Sequence, residues 1–200
     1  MAIRTSGHER RRLIVEAAAA LFSRQGFNGT TTREVAKAAG VSEATVFKHF
    51  ATKEELYRAI IEAKSQTQKL LEAVGPLVDA GDEAGLLKIL AREMITRTLA
   101  DPTLMRLLLF SALEGHALSE LFFRRRMQAV DEFLSEYIAQ RIAAGTIRRV
   151  DPAQAAWNFI GMVVQYLLLR ELFQQKAPPH ITVEQAVDDI VTTFLQGVRA

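Results

Sequence analysis

Residues 26–56 read GFNGTTTREVAKAAGVSEATVFKHFATKEEL. Thr31, followed three positions later by Glu34, is a capping-box pattern that opens a short helix through Val35, Ala36 and Ala39. Gly40 ends it, because glycine takes the left-handed backbone of a tight interhelical turn without a side-chain penalty. Ser42 caps a second short helix, Glu43 to about Phe50, and Thr52 with Glu55 caps the next. Two short helices therefore meet at Ala38-Ala39-Gly40-Val41-Ser42, with Val41 set to plug the gap under the turn and Ala36 small at the crossing. Val35, Val46 and Phe50 fall on the inward side, which leaves Glu43, Ala44, Thr45, Phe47, Lys48 and His49 free to meet a partner. A second helix presented this way can enter the major groove of DNA.

Outward from that stretch the chain reads as helices throughout. Ser6 with Glu9 opens a first helix whose apolar positions Ile14, Ala17, Ala18, Leu21 and Phe22 recur at helical spacing until Gly26. The helix capped by Thr52 is expected to run without interruption to about Val74, where Gly75-Pro76 should break it, so that one continuous helix joins head to body. Further helices are expected over 83–99, from Asp101-Pro102 to Gly115, over 118–144, from Asp151-Pro152 to about Gln174, and from Thr182 with Gln185 to about Val198. The predicted fold is all-α with about nine helices: an N-terminal three-helix helix-turn-helix domain over 1–52, and a helical body over 53–200.

Composition narrows the function classes. There is no cysteine, which removes disulfides and thiolate chemistry, and the four histidines are scattered without metal-ligand spacing. A glycine-rich phosphate loop, a nucleophile elbow and a dinucleotide fingerprint are all missing. An enzyme is therefore not expected and no cofactor is implied. The basic N-terminus is followed by no signal-like apolar run, and the apolar stretch around 159–169 is short of a membrane span, so a cytoplasmic protein is expected. Residues 1–64 hold 11 basic and 7 acidic residues, net +4, against net −2 for the remainder. A basic head on a mildly acidic body suits one end that faces phosphate. Arg4, Arg10, Arg11 and Arg12 are either a minor-groove arm or a basic helix start.

Taken with the spacing of Ala36 to Val41, Ser42, Phe47-Lys48-His49-Phe50 and Lys53-Glu54-Glu55-Leu56, the head resembles the DNA-binding domain of the tetracycline-repressor (TetR) family. The resemblance covers the first quarter of the chain at motif level. It implies that Thr31, Thr32, His49 and Lys53 hold phosphates, with Arg33 and Ser42 in the same DNA-binding set, and that Glu43, Ala44, Thr45 and Lys48 face base edges. Where the family usually carries tyrosine this chain has Phe47, which keeps an apolar contact and loses a hydroxyl.

The resemblance also implies a homodimer built from the last two helices, on a pseudo-palindromic double-stranded operator, and a small-molecule effector that releases it. The helix over 151–174 is apolar on most of its circumference and must be covered on more than one side. Phe159, Met162, Val163, Tyr166, Leu167, Arg170, Ile190, Val191 and Phe194 are the expected dimer face. Candidates for an apolar or aromatic effector site are Met105, Leu109, Phe110, Leu113, Glu114, Phe123, Met127, Trp157, Gln165 and Tyr166. His116 and Arg170 are further polar anchors, and Glu114 would favour a cationic ligand if it faced inward. Activation instead of repression, and an architectural DNA-binding role without sensing, remain open alternatives from sequence.

Overall fold

A computed structural model describes residues 6–64, 67–115, 128–175 and 181–200. Contacts divide the chain into two compact units, residues 1–65 with 103–123, and residues 66–102 with 124–200.

The first unit contains α1 (Gly7–Gln25), α2 (Thr32–Ala39), α3 (Glu43–His49), α4 (Lys53–Lys64) and α7 (Thr103–Leu113). Local chemistry sets the ends of these helices. The Ser6 hydroxyl accepts from the Glu9 amide to start α1, and the Thr31 and Ser42 hydroxyls do the same for α2 and α3. Ile14, Ala18 and Phe22 of α1 form the middle of the core, packed with Val35 and Ala36 of α2, Val46 of α3, Leu56 and Ile60 of α4, and Leu107 of α7. Phe22, Phe27 and Tyr57 make a ring trio with centroids 5.7–5.8 Å apart.

The second unit contains α5 (Thr67–Ala80), α6 (Glu83–Ala100), α8 (Gln128–Ala143), α9 (Pro152–Leu167), a single π-helical turn over Leu168–Leu172, and α10 (Val183–Val198). Its core takes Leu86, Leu90 and Ile95 from α6, Leu134 and Ile138 from α8, Phe159 and Val163 from α9, and Val187, Val191 and Phe194 from α10. The rings of Phe159 and Phe194 meet edge-on at 5.3 Å. Arg141 Nε donates to Glu83 Oε1 at 2.7 Å, and the Thr146 hydroxyl donates to the same oxygen. Burial opposes ionisation of Glu83, but these two donors outweigh it and hold its carboxyl below the usual carboxylate range. A depressed folded-state pKa means that this contribution is present at neutral pH and is lost as pH falls through the depressed value.

The all-α expectation holds: the described residues form ten α-helices, and an isolated antiparallel bridge joins Ile147 to Arg199. About nine were expected, and 65–66, between α4 and α5, lie outside the described residues. The helix expected from Thr52 to Val74 is described as α4, to Lys64, and α5, from Thr67; Pro76 lies inside α5 instead of ending a helix. A proline in a helix interior costs about 3 kcal/mol. Buried Leu70 and Val74 anchor the turns ahead of it, and α5 packs along α6. Tertiary packing thus overrides the local signal. Of the helix expected over 118–144, α8 falls within the described residues and 118–127 lies outside them.

The cap of α10 is reciprocal: Gln185 N donates to Thr182 Oγ1 at 3.2 Å, and Thr182 N donates to Gln185 Oε1 at 2.8 Å. Thr182→Ala is expected to lower stability by about 1 kcal/mol. An unchanged midpoint in urea unfolding would show that this cap contributes nothing.

Candidate nucleic-acid interface

The two short helices α2 and α3 are joined as the residue types require. Gly40 adopts φ +67°, ψ +32°, and the Val41 amide donates to Ala36 O at 3.0 Å, which turns the chain sharply beneath it. Ala36 is buried where a larger side chain would push the helices apart, while Val35, Val46 and Phe50 point into the core. What remains outward is a continuous face. Arg33, Ser42, Glu43, Ala44, Phe47 and Lys48 are exposed, with Thr32, Thr45 and His49 half-buried along its edge. Phe47 keeps 49% of its surface in solvent, unusual for a phenylalanine with a core available beneath it.

Hydroxyls on this face are engaged with one another and with carboxylates. Thr31 donates both its amide (2.8 Å) and its hydroxyl (2.8 Å) to Glu34 Oε2, and the Glu34 amide returns to Thr31 Oγ1 at 3.2 Å. Those hydrogen bonds from Thr31 hold the Glu34 carboxyl below the usual range. The Thr32 hydroxyl donates to Glu43 Oε1 at 2.6 Å, tying the start of α2 to the start of α3. The Ser42 and Thr45 hydroxyls are 2.8 Å apart. Both threonine hydroxyls that the family resemblance assigns to phosphates thus donate to carboxylates in the free chain. A phosphate oxygen accepts the same hydrogen bond, so nucleic acid can replace the carboxylates donor for donor.

Lys53, which the resemblance assigns to a phosphate, rests on aromatic rings in the free chain. Its ammonium lies over the Phe27 ring at 4.2 Å from the centroid and 5.8 Å from that of Phe22, a cation–π position on the aromatic trio. Desolvation there lowers its pKa, opposed by the charge of Glu114. Arg11 lies over Phe50 at 4.8 Å and Arg12 pairs with Glu9 and Glu16. Both contacts belong to a helix surface. Arg4 lies outside the described residues.

The effector candidates divide between the two units. Met105, Leu109 and Phe110 are half-buried on α7, and Leu113 at its end is 86% exposed. Glu114 is committed: its Oε2 accepts from the Phe27 amide at 3.1 Å and its Oε1 from the Asn28 amide at 3.2 Å. Sequence reading could not find this pairing, since 86 or more residues separate the partners. Trp157, Gln165 and Tyr166 line an open groove of about 950 Å³ between α9 and α10 in the second unit, together with Met162, Arg170 and Ile190 from the expected dimer face. Trp157 is 61% exposed in it. Arg170 Nη1 donates to the Tyr166 hydroxyl at 3.1 Å. The other residues expected on the dimer face, Phe159, Val163, Leu167, Val191 and Phe194, are buried within the second unit itself. An apolar helix thus spends one side on its own core and leaves the other open. Phe123, Met127 and His116 lie outside the described residues. No helix among the described residues is long and apolar enough to cross a membrane.

Comparison with known proteins places this geometry. Residues 14–60 match the family described as bacterial regulatory proteins, tetR family. Residues 87–197, more than half of the chain, match that described as AefR-like transcriptional repressor, C-terminal domain. Over 55 residues, 28% of this chain and 29% of the relative, it is 40% identical to the uncharacterized HTH-type transcriptional regulator YvkB of Bacillus subtilis. The chain covers less than half the length of the curated relatives it matches. Among solved structures, a putative TetR-family transcriptional regulator of Mesorhizobium loti is 25% identical with a TM-score of 0.69, over 98% of this chain and all of the other. AibR, solved in complex with isovaleryl coenzyme A and operator DNA, is 27% identical with a TM-score of 0.66, over 92% of this chain and 97% of the other.

Proposed function

This chain belongs to the tetR family of bacterial regulatory proteins, and from that membership we propose that it is a transcriptional repressor that binds a pseudo-palindromic operator as a homodimer and is released by a small-molecule effector. The observation that carries the reading is the exposed face of α3, where Glu43, Ala44, Phe47 and Lys48 stand clear of the core after the Gly40 turn. Lys48 can donate to guanine, Glu43 can accept from cytosine, and Ala44, Thr45 and Phe47 can touch thymine methyls. Thr31, Thr32, Arg33, Ser42, His49 and Lys53 supply the phosphate contacts that set register. Residues 1–52 form the DNA-binding segment in this reading, and 53–200 the part that senses and dimerises. No residue is assigned a catalytic step, and the site of action is the cytoplasm, where the DNA is.

Dimerisation through α9 and α10 is supported by the groove of Trp157, Met162, Tyr166 and Ile190, an apolar face that a monomer leaves in water. Gly161 on the same groove has no atom within 4 Å of where a side chain would begin, so a second backbone can come close. A small-molecule effector is supported by AibR, solved with isovaleryl coenzyme A and operator DNA, and its apolar or aromatic character by the groove lining of Trp157, Met162 and Tyr166.

Selection of duplexes from a random pool by the purified protein tests the reading. Enrichment of an inverted repeat with half-sites about one helical turn apart is expected. Enrichment of no sequence over background, at low salt, would overturn it. On the selected duplex Lys48→Ala is expected to cost about 1–3 kcal/mol and to relax preference at one base pair. Equal weakening on every sequence would reassign Lys48 to phosphate.

A further inference from the structure

Helix α7 has two affiliations. In sequence it lies inside residues 87–197, the stretch matched by a repressor C-terminal domain. In space it belongs to the compact unit of residues 1–65. Two residues, Asp101 and Pro102, separate it from α6 of the second unit.

Two ties bind α7 to the helix-turn-helix. The buried Tyr57 hydroxyl of α4 donates to Leu107 O at 2.9 Å. Just past the end of α7, the Glu114 carboxylate takes the consecutive amides of Phe27 and Asn28, one on each oxygen. These are charge-assisted hydrogen bonds to the loop that leads into α2. The loop is shaped around them. Gly26 carries no side chain, and a Cβ there would lie 2.3 Å from Glu114 Oε1. The Thr30 hydroxyl donates back to Gly26 O at 2.8 Å, closing the loop directly before Thr31, the N-cap of α2. The Lys53 ammonium stacks on the Phe27 ring, so the loop touches both α4 and α7.

We propose that Glu114 is a positioning residue for DNA binding, which fixes the α1–α2 loop through the Phe27 and Asn28 amides and so pre-sets α2 and α3 before duplex arrives. The inference rests on the regulator reading above. A loop ordered in advance loses no further conformational freedom when DNA binds, whereas a loose loop must be ordered at that moment and weakens the complex.

The test uses the full-length protein, Glu114→Ala and Glu114→Gln, and the duplex that the wild type enriches from a random pool. Affinity by fluorescence anisotropy, its salt dependence, melting temperature, and amide exchange at Phe27 and Asn28 are measured together. Glu114→Ala is expected to melt at a lower temperature, to bind at least about 10-fold more weakly when assayed where it is still fully folded, and to exchange those two amides faster. The slope of affinity with salt should stay as in the wild type, because no phosphate contact is removed. Glu114→Gln keeps one acceptor oxygen and should fall between the two, and it carries the test alone if the alanine variant does not fold. Binding within twofold of wild type by a folded variant overturns the proposal, as does unaltered exchange at Phe27 and Asn28. If the wild type enriches no duplex, the regulator reading fails, and the role of Glu114 in DNA binding with it, whatever the exchange at the two amides.

Discussion

Phe22→Ala is expected to remove about 3–5 kcal/mol of stability, the range for deleting a large aromatic side chain from a packed core. Phe22 is wholly buried on α1, and its ring has Phe27 at 5.7 Å and Tyr57 at 5.8 Å. Removing it costs the transfer energy of the ring and leaves a hole bordered by Phe27 in the loop and Tyr57 on α4, in a core that also draws on α2, α3 and α7. Walls anchored on separate helices collapse poorly, which places the expected loss toward the upper end of the range. The loss also removes a support for Phe27, over which Lys53 is stacked. Urea unfolding followed by circular dichroism would report it, with the midpoint falling and the slope unchanged. A loss below about 1 kcal/mol would mean that the first unit does not depend on this trio. Phe47→Ala provides the contrast: that ring is half in solvent, and its loss should move DNA affinity far more than the unfolding midpoint.

Features decided within three or four residues were legible in the sequence. The Thr31–Glu34 and Thr182–Gln185 boxes, the Ser42 cap, the left-handed Gly40 and the Asp151-Pro152 start are all present, because donor and acceptor there belong to a single helical turn. The outward face of α3 was legible for the same reason, since helical periodicity fixes which side chains a core can take. Three readings depended on distant residues and came out differently or not at all. Gly75-Pro76 was expected to stop a helix, but buried Leu70 and Val74 hold α5 through it. Glu114 was one candidate polar anchor for a ligand, and its oxygens accept from amides of another segment. Helix α9 was recognisable as covered on two sides, but the pattern could not say which side is internal. Phe159 and Val163 turned out to be core, while Trp157, Met162 and Tyr166 line the groove. The stacking of Lys53 on Phe27 and Phe22 was likewise not legible, because those rings are far from it in sequence.

Gly26→Val is expected to be among the most damaging single substitutions in the first unit, for two separable reasons. Gly26 adopts φ +76°, ψ 177°, a region that residues with a side chain scarcely enter, and β-branching makes it worse. Backbone strain of this kind costs about 1–3 kcal/mol. The second reason is steric. The new Cβ would lie 2.3 Å from Glu114 Oε1 and 3.3 Å from Phe110 Cδ1, so the carboxylate must swing away and release the Phe27 and Asn28 amides. Hydrogen bonds to a charged acceptor contribute about 1.5–3 kcal/mol each when buried, and these two are part-buried and exposed, so water offsets part of their loss and brings it to the order of the strain. A double-mutant cycle with Glu114→Ala separates the two. In the Glu114→Ala background there is no carboxylate to displace, and Gly26→Val should cost only the strain, so that the double variant loses less stability than the sum of the two single variants. Unfolding free energies for the four proteins measure that coupling. Strict additivity would show that Gly26 is required for its backbone angles alone and that the close approach of Glu114 adds nothing to the energetics of the loop.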